Sequence, residues 1–128
     1  MPTLSNYIGT GNAPLVATAS LGQLTVLSGN MTAAGTTQTT AVALQTDFNV
    51  FLNVAVGTGT ILPANSAYIN ATDVLLCYNH GANALLMYPP VGGFISTLAV
   101  NTAVSIPAGK YGQFTNLGGN KWGYSISN

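Results

Sequence analysis

Phe48-Asn49-Val50-Phe51-Leu52-Asn53-Val54-Ala55-Val56 is the stretch that decides the fold class. Apolar side chains at Phe48, Val50, Leu52, Val54 and Val56 recur at every second residue, the period of a strand with one face on a core. Asn49 and Asn53 fall on the opposite face, with Phe51 an apolar exception among them. Gly57-Thr58-Gly59 breaks the run, and Thr60-Ile61-Leu62 resumes it before Pro63 stops it again.

The same punctuation continues on both sides. Gln23-Leu24-Thr25-Val26-Leu27 is β-prone and closes on Ser28-Gly29-Asn30, and Thr36 to Leu44 is Thr-rich and ends in the alternation Val42, Leu44. Downstream, Val74 to Tyr78 and Ala84 to Tyr88 flank Asn79-His80-Gly81-Ala82-Asn83, which reads as a hairpin loop. Tyr111 to Leu117 and Trp122 to Ile126 flank Gly118-Gly119-Asn120-Lys121, a tight-turn signal. Pro89-Pro90-Val91-Gly92-Gly93 forces a turn, and Ala103 to Ile106 makes a strand ended by Pro107. Roughly eight to ten short strands with regular turns predict an all-β chain, a single β-sandwich that is jelly-roll-like. That domain is expected over residues 21–128. Residues 1–20 carry Leu4, Tyr7, Ile8, Leu15 and Val16 among Pro2, Gly9, Gly11 and Pro14, with no strand or helix period. They read as an extended N-terminal arm whose apolar anchors contact a partner, against the alternative of a loose terminus.

Charge narrows the function. Only 3% of the 128 residues are charged, against about 25% in ordinary soluble proteins. The full set is Asp47, Asp73, Lys110 and Lys121. Two lysines cannot neutralise the run of phosphates that nucleic-acid binding requires, nor hold an anionic membrane surface. No stretch approaches the roughly 18 uninterrupted apolar residues of a membrane helix, and Met1 to Asn6 lacks the basic start of a secretory signal. The polar surface is hydroxyl and amide, with little like-charge repulsion to keep copies apart, which suits a protein that works in an assembly.

Reactive groups are as scarce. A carboxylate pair would have to be Asp47 with Asp73, and a thiol-imidazole dyad Cys77 with His80. The alternation sends Asp73, Cys77 and His80 to different faces, which opposes a metal site. Gly57-Thr58-Gly59 and Gly92-Gly93 lack the Lys-Ser/Thr and following helix of a phosphate loop. No catalytic, cofactor or metal residue is expected, and no small-molecule substrate. Trp122 and Tyr124 either plug a core or stack on a sugar ring.

The order Gly57-Thr58-Gly59, Leu62-Pro63, Asn79-His80-Gly81-Ala82-Asn83-Ala84-Leu85, Tyr88-Pro89, Gly92-Gly93-Phe94-Ile95, Asn101, Ala108-Gly109-Lys110 and Lys121-Trp122 resembles a small β module of tailed-bacteriophage structural proteins. Gly35-Thr36-Thr37-Gln38, Ala41-Val42-Ala43-Leu44 and Asp47-Phe48-Asn49-Val50 are similar to its lead-in, so the resemblance spans about residues 35–126. It implies a non-enzymatic capsid decoration, or cement, protein. Such a protein would be a homotrimer on the outer capsid surface of the virion, assembled in the host bacterial cytoplasm, stapling neighbouring major capsid protein subunits. The alternative that the same module implies is a receptor- or carbohydrate-binding part of a phage tail or fibre, with Tyr88, Tyr111 or Trp122 lining a groove.

Overall fold

The computed structural model describes residues 27–44, 46–65 and 71–128. The expected arm over 1–20 and the start of the strand read from Gln23 lie outside the described residues. Among the described residues there are ten strands and no helix. They are β1 (Leu27–Thr32), β2 (Val42–Ala43), β3 (Phe48–Asn53), β4 (Gly59–Ile61), β5 (Val74–Asn79), β6 (Leu85–Tyr88), β7 (Phe94–Ile95), β8 (Val104–Ile106), β9 (Tyr111–Gly118) and β10 (Lys121–Ile126). A six-stranded sheet, ordered β1-β3-β5-β9-β10-β7, packs on a four-stranded sheet, ordered β2-β4-β6-β8. Both sheets face one apolar core that includes Phe51, Leu75, Met87, Ile106, Phe114 and Trp122. The all-β sandwich is therefore the architecture.

Within it, the chain steps from one sheet to the other at each strand from β1 to β6. As a result β1, β3 and β5 lie parallel in one sheet, and β2, β4 and β6 lie parallel in the other. This half winds as a flattened coil, where a jelly roll would fold antiparallel Greek keys. Parallel register stacks like positions. Phe48 lies beside Leu76, Phe51 beside Asn79, and Val42 beside Thr60. The second half closes the coil with antiparallel strands: β9 between β5 and β10, and β8 beside β6.

Two expectations need correction. The segments 74–78 and 84–88 do not pair as a hairpin, because β5 and β6 belong to different sheets. Leu75 and Cys77 face the core from one side and Leu85 and Met87 from the other, so the loop arches across the core. The loop is long enough for either route. Gly81 fixes the outcome: a Cβ there would come within 2.8 Å of the Val54 side chain in the arch of the preceding turn of the coil. The second correction concerns β3, whose inward face carries Asn49 and Phe51, both fully buried. Phe48, Val50 and Leu52 are half-buried on the outer face, and Val56, past the strand end, is exposed.

The β9–β10 hairpin forms as the sequence indicates. Gly118 pairs with Lys121, leaving Gly119 and Asn120 as the turn, with φ of 63° and 61°. Positive φ at both central residues makes the type I′ turn that matches strand twist. A bulge before Trp122 accommodates the register shift.

Candidate interaction face

The titratable groups do not converge. The Cys77 side chain is fully buried, and desolvation pushes its thiol up to about 12, far from a nucleophile's range. His80 is exposed on the arch, where its backbone N–H donates to the Phe51 carbonyl at 2.9 Å. Core and surface separate the two side chains, so they form no dyad. Asp47 and Asp73 precede β3 and β5, and their carbonyls accept from Leu76 and Asn116, at 2.7 and 2.8 Å. Among the described residues no three His, Cys, Asp or Glu side chains group as metal ligands.

What the interior holds is amide. Asn79 sits where β5 meets its arch, and its Nδ2 donates to the carbonyls of Asn83 (2.8 Å) and Ile106 (2.9 Å). Its Oδ1 accepts from the Gly81 N–H at 2.9 Å. Asn83 in turn donates to the Val54 carbonyl at 2.9 Å, tying one arch to the next. Asn49 donates to the carbonyls of Thr46 and Leu76, at 2.8 and 3.2 Å. Asn116 accepts from the Gly118 N–H at 2.8 Å and donates to Asn65 at 3.1 Å. These buried side chains satisfy backbone groups that the strands leave free at their ends, as burial demands. Asn79 was legible as a turn residue. Asn49 and Asn116 were not, because a buried Asn on an apolar face looks like a solvated one.

The outer face of the six-stranded sheet is the surface that stands out. Alternation places Phe48, Val50 and Leu52 of β3, Val74, Leu76 and Tyr78 of β5, and Tyr111, Gln113, Thr115 and Leu117 of β9 side by side on it. Val74 is 41% exposed, Tyr111 48% and Leu117 57%. Strands β3, β5 and β9 contain no charged residue. The four charges instead stand at strand starts: Asp47 before β3, Asp73 before β5, Lys110 before β9, and Lys121 opening β10. Because β9 runs antiparallel to β5 and β10, Lys110 lies at one end of the sheet and Asp47, Asp73 and Lys121 at the other. The face between is neutral and apolar, a composition that marks an interaction surface.

At the Lys110 end the face finishes in rings. Tyr78 and Tyr111 have centroids 4.5 Å apart, and His80 lies 5.8 Å from Tyr78. Of the three residues expected to line a groove, only Tyr111 is free to do so. Trp122 is fully buried, and Tyr88 is half-buried, with its hydroxyl donating to the Thr36 carbonyl at 3.4 Å. Leu4, Tyr7, Ile8, Leu15 and Val16 lie outside the described residues. No family model, curated protein or solved structure matches the chain.

Proposed function

We propose that the protein is a non-enzymatic phage head decoration protein that binds the outer capsid surface and staples neighbouring major capsid subunits. The observation that carries this reading is the neutral apolar outer face on a closed two-sheet body. Such a face offers burial without ion desolvation, worth about 25 cal/mol per Å² of apolar surface removed from water. The ordered turn residues that resemble the phage module support the same role, since every one in the described part serves shape and none serves chemistry. In this reading copies associate as homotrimers. Three joined protomers multiply a modest interface through effective concentration.

The test is reconstitution. Purified protein is added to heads of the cognate capsid protein that lack it, and co-sedimentation and head rupture on heating are measured. Saturable binding with a higher rupture temperature is the expected result. Absence of binding to heads would end the proposal. The ring cluster of Tyr78, Tyr111 and His80 favours a second reading, a carbohydrate-binding module of a tail or fibre. A glycan array with specific signal, abolished by Tyr111→Ala, would favour it.

A further inference from the structure

We infer that the outer face of the six-stranded sheet is the seat of the N-terminal segment, residues 1–20, of a neighbouring copy. The inference rests on the self-association in the reading above and names its contact. The first charged residue in the chain is Asp47, so the segment has no ionised side chain. The face formed by β3, β5 and β9 has none either. Segment and face can therefore come together without desolvating a charged side chain on either side. Leu4, Tyr7, Ile8, Leu15 and Val16 supply the apolar contacts, while Pro2 and Pro14 each remove a backbone donor that a sheet face could not pair.

Where the chain enters the sheet argues for a neighbour. β1 begins at Leu27, beside Phe48, at the end of the sheet where β3 and β5 also begin. The β-prone Gln23-Leu24-Thr25-Val26 that leads into it, continued in line, runs roughly 13 Å past that end at about 3.3 Å per residue. Residues 1–20 are thus delivered beyond their own sheet and would have to double back to reach their own face. A second copy's face is met without reversal. The span to be covered, β3 to β9, is only about 10 Å across at about 4.8 Å per strand. A segment of this length crosses it with residues to spare.

The experiment uses the full chain with a benzophenone amino acid at Tyr7, prepared both unlabelled and ¹⁵N-labelled, mixed and irradiated without capsid. Mass spectrometry should find light–heavy cross-links to residues 48–52, 74–78 or 111–117, reduced at least tenfold when Leu76→Asn is added. Cross-links confined to single chains would overturn the inference in favour of an intramolecular strap. Cross-links to another surface, or none, would overturn it as well. Since no head is present, this outcome is independent of capsid binding: either reading can fail while the other stands.

Discussion

The two faces of the six-stranded sheet differ less in composition than in what covers them. The inner face carries Phe51, Leu75, Cys77, Phe114 and Trp122, and with them the fully bonded amides Asn49, Asn79 and Asn116. The outer face carries Phe48, Val50, Leu76, Tyr78 and Tyr111, with Gln113 and Thr115. Both are apolar with a minority of neutral polar groups. On the inner face the four-stranded sheet supplies Leu85, Met87, Val104 and Ile106 as the opposing layer. The outer face has no second layer among the described residues. The lesson is that the alternation of apolar residues identifies a strand but not its inside. Polar residues fail as a guide when the polar residue is an asparagine with backbone groups to serve.

Substitutions on the two faces should separate stability from association. The largest effect is expected inside. Trp122→Ala removes a fully buried ring and should cost about 3–5 kcal/mol by chemical denaturation. Trp122→Phe should cost far less. The indole Nε1 has no hydrogen-bond partner among the described residues, so losing that donor relieves a polar group rather than breaking a bond. Asn79→Ala comes next. It strands the Asn83 and Ile106 carbonyls and the Gly81 N–H, and should cost at least about 2 kcal/mol, with the arch over 80–84 gaining amide hydrogen exchange. If Asn79→Ala were neutral, the amide account of the arches would be wrong.

Much of this contrast was hidden in the sequence for physical reasons. The strands at 48–53, 74–79 and 121–126 and the Gly119-Asn120 turn were legible, because period-2 patterning and positive-φ residues are local. The arch at 80–84 was misread, because a short Asn- and Gly-bearing loop serves a hairpin between strands about 4.8 Å apart or an arch between sheets about 10 Å apart. Only the packing of Gly81 on Val54, a contact between successive turns of the coil, distinguishes them. The interaction face was unreadable while Phe48, Val50 and Leu52 were assigned to the core. Its lack of charge was visible throughout.

The thiol offers a smaller test of the inner face. Cys77 has its pKa raised by burial, so the folded state disfavours the thiolate. Its contribution to stability is intact below the unfolded thiol's pKa and is lost as pH rises from there toward about 12. Native protein at pH 8 should not react with a disulfide reagent on the timescale of minutes, whereas denatured protein should react with one equivalent. Rapid native reaction would place Cys77 outside the core. The smallest effect is expected from salt. Raising NaCl from low to about molar levels should leave head occupancy nearly unchanged, because exposed charges are screened over a few ångströms while apolar contacts are not weakened. Steep release would assign the contact to Lys110 or Lys121.

The central claim is that the outer face binds while the inner face folds the chain. Head occupancy by the Val74→Asn/Leu76→Asn double variant, measured by co-sedimentation against the unmodified protein, tests it most directly. Both side chains lie on the exposed surface of β5, so folding should be nearly preserved, with circular dichroism and melting temperature close to those of the unmodified protein. Occupancy should fall at least tenfold, about 1.4 kcal/mol of binding. Undiminished occupancy by a folded double variant would contradict the account.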